Sequence, residues 1–134
     1  MQLETVTVSL DNHVAVVRLN RPEKANAMNA AMWQDIRKAF TWIDENVDAR
    51  VAIIEGEGQH FSSGIDLQMM MGLLPQIKND CEGRTRENLR RVILDMQDTL
   101  TSMERCRKPV LAAIHGGCVG GGVDLICCTD MRYA

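Results

Sequence analysis

Residues 110–124 read Val-Leu-Ala-Ala-Ile-His-Gly-Gly-Cys-Val-Gly-Gly-Gly-Val-Asp, and this stretch decides the fold. The apolar run 110–114 predicts a strand, and five glycines within residues 116–122 separate it from a short helical segment. Because glycine costs backbone entropy, such a cluster indicates unusual backbone dihedrals or the close approach of another group. Unpaired N–H groups and the helix dipole at this point favour an anion, either a phosphate or an oxyanion formed during a reaction. Close strand–helix packing without a ligand is the alternative.

A phosphate-binding loop fits these glycines poorly. The P-loop requires Lys and Ser or Thr after the last glycine, whereas Val123 and Asp124 follow here. The carboxylate of Asp124 would repel a phosphate, and the dinucleotide pattern G-x-G-x-x-G also fits badly. The cluster therefore favours an oxyanion over a phosphate.

Outward from the glycines, strands alternate with helices. Residues 5–10 and 13–20 predict a hairpin around Asp11-Asn12, residues 51–54 a short strand, and Asn29 the N-cap of a helix. Apolar residues at helical spacing predict that first helix (Met32, Ile36, Phe40, Ile43, Val47) and a second over residues 84–104 (Leu89, Val92, Ile93, Met96, Leu100, Met103). Residues 66–80 are rich in Met and ambiguous. This order predicts an α/β fold in a single domain over residues 1–134.

Composition excludes several classes of protein. The chain has 134 residues, 46% of them hydrophobic, and a net charge of −3, which disfavours a nucleic-acid partner. The arginines at 84, 86, 90 and 91 are interpreted as a solvated helix face. No apolar run reaches the ~20 residues of a membrane-spanning helix, and no secretory signal is visible in the first four residues, which lack a basic segment followed by an apolar stretch. We expect a cytoplasmic location, with a mitochondrial or peroxisomal one after processing as the alternative.

Other nucleophilic and metal-binding patterns are weak. Ser62 and Ser63 do not lie in a G-x-S-x-G turn, and His60 and His115 are interpreted as surface or packing residues. The cysteines (Cys81, Cys106, Cys118, Cys127 and Cys128) are odd in number and irregular in spacing, which predicts free thiols and no metal site.

Three stretches resemble the signatures of one family. They are residues 20–28 (Asn-Arg-Pro-Glu-Lys-Ala-Asn-Ala-Met), residues 61–67 (Phe-Ser-Ser-Gly-Ile-Asp-Leu), and residues 108–114 with the glycines that follow. Their order and spacing resemble those of the crotonase (enoyl-CoA hydratase/isomerase) family. The resemblance implies a spiral of β-β-α units, of which this chain is the N-terminal part. It also implies an acyl-CoA thioester substrate, with no cofactor beyond the coenzyme A that is part of the substrate. In complete members it implies a homotrimer or hexamer that needs neither nucleic acid nor membrane.

The resemblance also implies site residues. The family's oxyanion hole matches the backbone N–H groups of Ile65 and Gly121, which agrees with the anion site expected from the glycines. Substrate-binding positions match Lys24, Ala25, Ala27, Ser63, Gly64, Ile65, Asp66, Leu67, Gly117 and Gly121. Lys24 resembles the position near the coenzyme A phosphates, and a solvated loop lysine is the alternative.

Asp124 narrows the expected activity. Hydratases of the family usually carry glutamate at this position, whereas the sequence around Asp124 resembles that of the Δ3,5-Δ2,4-dienoyl-CoA isomerases of fatty-acid oxidation. The resemblance implies that Asp124 assists proton transfer. A plain helix-start aspartate is the alternative. Because the other acid/base residues of the family match positions beyond Ala134, we expect this chain alone to lack the full catalytic set. Enoyl-CoA hydratase and a non-catalytic acyl-CoA-binding fragment remain alternative functions.

Overall fold

The computed structural model describes residues 2–134 and shows one mixed sheet with helices packed on it. The elements are β1 (Val6–Asp11), β2 (Val14–Leu19), a 3₁₀ turn (Pro22–Lys24), α1 (Ala30–Glu45), β3 (Val51–Gly56), α2 (Leu67–Ile77), α3 (Glu82–Arg105), β4 (Val110–Ala113), α4 (Gly121–Cys127) and β5 (Met131–Tyr133). The strands lie in sequence order; β1 is antiparallel to β2, and β2 to β5 run parallel. The predicted α/β class and the order of elements are confirmed.

The N-terminal hairpin turns one residue later than predicted. Asp11 still pairs with Val14, so the two turn residues are Asn12 and His13. Both have positive φ, 46° and 69°, which is the backbone of a tight hairpin whose twist matches that of the strands. Asn tolerates this conformation better than most residues, which explains why the tip includes Asn12.

The core lies between the sheet and α1. Along β2 the side chains alternate, so that Ala15, Val17 and Leu19 are fully buried. From α1 they meet the fully buried Met32, Ile36, Phe40 and Ile43, each of which contributes about 1.5–3 kcal/mol by leaving water. The side chain of Asn29 accepts a hydrogen bond from the Met32 N–H at 2.9 Å, as expected of an N-cap.

Val47 was wrongly assigned to this apolar face. The helix ends at Glu45, and Val47 is 91% exposed beyond the C-cap residue Asn46. Helical periodicity does not hold beyond the last turn, so the spacing misled the prediction.

The helices α2 and α3 are less buried than α1. In α3, Met103 is buried and Met96 and Leu100 pack against the core, whereas Leu89 and Ile93 are more than 40% exposed. The ambiguous residues 66–80 contain α2, with Pro75 inside it. None of the helices in residues 2–134 is both long and apolar enough to cross a membrane.

Candidate active site

Two loops meet at one edge of the sheet. The serine loop (residues 57–66) follows β3, and the glycine loop (residues 114–120) follows β4 and leads into α4. Because β3 and β4 are parallel neighbours, both loops leave the same edge. Five hydrogen bonds join them: Phe61 N–H to His115 O (2.9 Å), Ser62 N–H to Gly117 O (3.1 Å), Val119 N–H to Ser62 O (3.1 Å), Gly117 N–H to His60 Nδ1 (2.9 Å), and His115 Nε2 to Gly58 O (2.8 Å).

The close approach of the loops requires glycine. A Cβ on Gly116 would lie only 2.0 Å from the carbonyl oxygen of Gln59. Gly64 has φ +89°, and its Cβ would lie 2.8 Å from Val119 O and 3.0 Å from the nitrogen of Gly121. Side chains at either position would push the loops apart, which gives the glycines a structural reason in addition to any ligand.

At this junction the backbone N–H groups of Ile65 and Gly121 stand out among the described residues. Neither the Ile65 N–H nor the Gly121 N–H donates a hydrogen bond to any group within residues 2–134. The two backbones are adjacent, because a Cβ on Gly121 would lie 3.5 Å from the Ile65 nitrogen. Gly121 is buried and Ile65 is half-buried. Buried donors in folded proteins are nearly always paired, so two adjacent unpaired donors favour an external acceptor.

Three of the four neighbouring N–H groups are paired within residues 2–134, and the fourth belongs to the exposed Gly120. The Gly64 N–H donates to Ser62 Oγ at 3.1 Å, and the Asp66 N–H donates to Met28 O at 3.1 Å. On the other side, the Gly122 N–H donates to Val119 O at 2.9 Å. The Ile65 donor therefore lies between two paired N–H groups, and the buried Gly121 donor lies between the exposed Gly120 and the paired Gly122.

Ile65 is one of the residues that line a groove of about 350 Å³. Seven residues line the groove. Six of them are predicted substrate-binding residues (Lys24, Ala27, Ser63, Ile65, Asp66 and Leu67), and the seventh is Gln68. Lys24 is exposed at its rim. The other predicted positions do not line the groove: Gly64 and Gly121 form the junction, Gly117 bonds to His60, and Ala25 O accepts from the Ser63 N–H at 2.8 Å.

Asp124 lies in α4, three residues after Gly121. Its backbone N–H donates to Gly120 O at 3.2 Å, and the residue is exposed. It is not among the residues that line the groove. Asp124 thus lies within one helical turn of the Gly121 donor. Its carboxylate forms no hydrogen bond or ion pair within residues 2–134.

The first motif (residues 20–28) supports the serine loop through Asn26, a residue that was not predicted to have a role. Asn26 is fully buried with φ 53°. Its side chain accepts from the Arg21 N–H at 2.9 Å and donates to Glu57 O and His60 O, both at 2.9 Å. The asparagine between two alanines in residues 25–27 was the available signal, since Asn adopts positive φ more readily than other non-glycine residues.

Arg21 and Asp66 form an ion pair that was also missed. Arg21 Nη1 lies 3.1 Å from Asp66 Oδ2, and both side chains are mostly buried. The carboxylate also accepts from the N–H groups of Gln68 and Met69, which caps α2. The Met69 N–H, followed by the Arg21 guanidinium, holds the pKa of Asp66 below its usual range. The pair connects the first and second motifs across 45 residues of sequence.

The histidines of the two loops contact the backbone, and three of the cysteines pack against the core. His60 and His115 are exposed, and His115 Nε2 lies 2.8 Å from Gly58 O. All five cysteines are free, and burial raises the pKa of Cys106, Cys118 and Cys128. No three His, Cys, Asp or Glu side chains in residues 2–134 are grouped as metal ligands.

A larger open cleft, about 620 Å³, lies elsewhere, between Arg18, Glu55 and Tyr133. Arg18 pairs there with Glu55 at 2.6 Å, so its charged groups already satisfy each other. None of the predicted site residues lines this cleft. The unpaired donors make the smaller groove the better candidate.

This fold and site define an α/β protein of the crotonase type. The chain superposes on an enoyl-CoA hydratase/isomerase from Xanthobacter autotrophicus Py2 with a TM-score of 0.86 at 27% identity, covering 98% of this chain and 46% of that one. An enoyl-CoA hydratase from Shewanella pealeana gives a TM-score of 0.84, also at 27% identity, covering 98% and 46%. The expected crotonase-like spiral is confirmed.

The sequence narrows the class further. Residues 9–134 match the family model described as enoyl-CoA hydratase/isomerase, and the chain belongs to that family. It is 48% identical to the mitochondrial Delta(3,5)-Delta(2,4)-dienoyl-CoA isomerase of Mus musculus, over 93% of this chain and 38% of that protein. It is 44% identical to the peroxisomal isomerase of the same name from Arabidopsis thaliana, over 98% and 48%. The chain thus spans less than half the length of these relatives.

Proposed function

We propose that this chain carries the acyl-CoA-binding, oxyanion-stabilising part of an isomerase that converts 3,5-dienoyl-CoA to 2,4-dienoyl-CoA. The adjacent unpaired N–H groups of Ile65 and Gly121 carry the proposal. The names of relatives that are 44–48% identical support the particular reaction. The coenzyme A of the substrate is the only cofactor in this proposal.

The reaction places negative charge where the donors lie. When a base removes a proton from carbon 2, the electron pair moves onto the thioester oxygen. Two preorganised N–H groups stabilise that oxygen, and one such donor is worth roughly 10²–10³-fold in rate. A proton returned at carbon 6 shifts the double bonds from 3,5 to 2,4 without loss or gain of atoms. Asp124 assists this transfer. The other carboxylates belong to the part of the complete enzyme that this chain does not span.

The groove beside Ile65 would hold the thioester and the first part of coenzyme A. Lys24 at its rim supplies a positive charge for the coenzyme A phosphates. The complete enzyme is proposed to be a homotrimer or hexamer. The names of the relatives, one mitochondrial and one peroxisomal, favour those locations over the cytoplasmic one expected from the sequence.

The donor pair is tested with two ligands that differ in one oxygen. Butyryl-CoA carries a thioester carbonyl, whereas S-butyl-CoA is the thioether without it. We expect butyryl-CoA, but not S-butyl-CoA, to move the amide proton resonances of Ile65 and Gly121 downfield in a labelled sample of this 15.0 kDa chain. Equal responses to both ligands would refute the oxyanion site.

The reaction itself is tested on the complete enzyme with 3,5-dienoyl-CoA and 2-enoyl-CoA in parallel assays. We expect isomerisation to be much faster than hydration. A hydratase must hold a water between two carboxylates, and the shorter Asp124 would misplace it, at a cost of about 10²-fold for an error near 1 Å. Efficient hydration with negligible isomerisation would exclude the isomerase and favour the hydratase.

A further inference from the structure

Ser62 is the most deeply placed polar side chain of the serine loop. It is fully buried, and it does not line the groove. Its hydroxyl donates to Asn26 O at 2.9 Å and accepts the Gly64 N–H at 3.1 Å. The hydroxyl therefore uses both of its functions inside the protein, which excludes a role as a free nucleophile and makes it a link between two backbone segments.

The Asn26 end of this link is fixed. The Asn26 side chain bonds to the backbone of Arg21, Glu57 and His60, so its own carbonyl cannot move independently of the first motif and the end of β3. The hydrogen bond to this rigid carbonyl fixes the orientation of the Ser62 hydroxyl. The oriented hydroxyl in turn fixes the position of the Gly64 N–H, from which it accepts a hydrogen bond.

The Gly64 end determines where the Ile65 N–H points. The Gly64–Ile65 peptide is held at its carbonyl, because Gly64 O accepts the Met28 N–H at 2.8 Å. Since a trans peptide is planar, its N–H points opposite to its C=O. Ser62 holds the preceding N–H of Gly64, so the peptide is fixed from both sides and the Ile65 N–H faces away from the Met28 contact.

We propose that Ser62 is a positioning residue, whose hydroxyl transmits the rigid geometry of Asn26 to the Ile65 donor. The inference rests on the proposed function, because it concerns how one of the two oxyanion donors is aimed. Without the hydroxyl, only the Met28 N–H holds this peptide, and Gly64, with its φ of +89°, allows the Ile65 N–H a wider range of directions.

The test compares Ser62→Ala with Ser102→Ala. Ser102 lies in α3, where its hydroxyl donates to Thr99 O at 2.6 Å, so each substitution removes one serine hydroxyl bonded to a backbone carbonyl. The measured quantity is the ratio of dissociation constants for S-butyl-CoA and butyryl-CoA, which isolates the carbonyl. We expect Ser62→Ala to reduce this ratio roughly 3–10-fold, about the worth of one hydrogen bond, without weakening S-butyl-CoA binding. Ser102→Ala should leave the ratio unchanged.

Two outcomes separate this inference from the proposed function. If the wild-type chain shows no preference for the carbonyl, the oxyanion site fails and the positioning role fails with it. If the wild type shows the preference and Ser62→Ala retains it in full, only the positioning role is overturned. Should Ser62→Ala not fold, the wild-type chain still decides: the Gly64 amide must exchange with solvent much more slowly than the exposed Gly58 amide, and equal rates would overturn the proposal.

Discussion

The serine loop and the glycine loop lie against each other, but different contacts hold them. The serine loop is held by side chains: Asn26 below it, the Ser62 hydroxyl within it, and the Arg21–Asp66 pair at its end. The glycine loop is held mainly by backbone hydrogen bonds, and these can form because Gly116 and its neighbours have no side chains that would keep the loops apart. Removal of side-chain atoms should therefore damage the serine loop most, whereas the glycine loop is sensitive mainly to added atoms, as the serine loop is at Gly64.

The largest effect is expected from adding atoms at Gly121. Gly121→Pro removes the N–H donor, and the complete enzyme should lose roughly 10²-fold or more in turnover. Gly83→Pro is the matched control, since Gly83 lies in the first turn of α3, where proline is tolerated. A folded Gly121→Pro enzyme with full activity, checked by circular dichroism and the dienoyl-CoA assay, would exclude the Gly121 N–H as an oxyanion donor.

A smaller effect is expected from changing charge beside the glycine loop. Asp124→Asn keeps the shape of the side chain and removes its charge, so isomerisation should fall by about tenfold or more, as for a group that assists acid–base catalysis. Because Asp124 is exposed, thermal unfolding should not change. Asp80→Asn, another exposed acid, is the control. Unchanged turnover in Asp124→Asn would leave Asp124 as a helix-start aspartate.

Removal of a charge at the end of the serine loop should affect stability. Asp66→Asn retains a cap for α2 but leaves the mostly buried Arg21 without its anion, at an expected cost of about 1–2 kcal/mol in the free energy of unfolding. Asp44→Asn, whose partner Arg107 is 75% exposed, should cost clearly less. Urea unfolding of both variants measures the difference, and equal costs would contradict the distinction between the two pairs.

The same substitution predicts a change with pH. The pKa of Asp66 is lower in the folded state, so its contribution to stability is present above the unfolded value of about 3.9 and is lost as pH falls through the folded value. Asp66→Asn should therefore lose less stability than the wild type between neutral and strongly acidic pH. An identical acid dependence would show that Asp66 does not contribute to it.

The smallest effect concerns the thiols, which report on packing around the two loops. Cys81 and Cys127 are exposed, whereas burial raises the pKa of Cys118, Cys128 and Cys106. Thiol titration of the native chain should detect the two exposed cysteines first, and titration of the denatured chain should detect all five without reductant. A missing thiol in the denatured chain would indicate a disulfide.

The strands and the first helix were predictable because their signals are local. The alternation of Ala15, Val17 and Leu19 and the cap at Asn29 depend only on neighbours in sequence. The glycine cluster likewise predicted a crowded turn, and the structure shows that crowding at Gly116. Motif matching, rather than physics, selected Ile65 and Gly121 as donors, and their roles remain predictions.

The supports of the site were not predictable from local patterns. The Arg21–Asp66 pair joins residues 45 positions apart, and the Ser62–Asn26 bond spans 36. Composition and periodicity carry no information about such contacts, because they depend on how the loops leave the sheet. In the same way, the exposure of Leu89 and Ile93 in α3 depends on which helices lie beside it, whereas spacing alone gives only a common face.

Both proposed donors are main-chain groups. Hydrogen-bond donation and the shape of the groove are therefore separate properties here, whereas in other sites one side chain determines both. The N–H at position 65 persists whichever non-proline residue is present, while the Ile65 side chain lines the groove. Substitution there would therefore reshape the space offered to the acyl group and leave the hydrogen-bond donor in place. Natural selection, or a protein engineer, can thus vary substrate preference at position 65 as an independent trait, whereas positions such as Gly64 and Gly116 offer no comparable freedom.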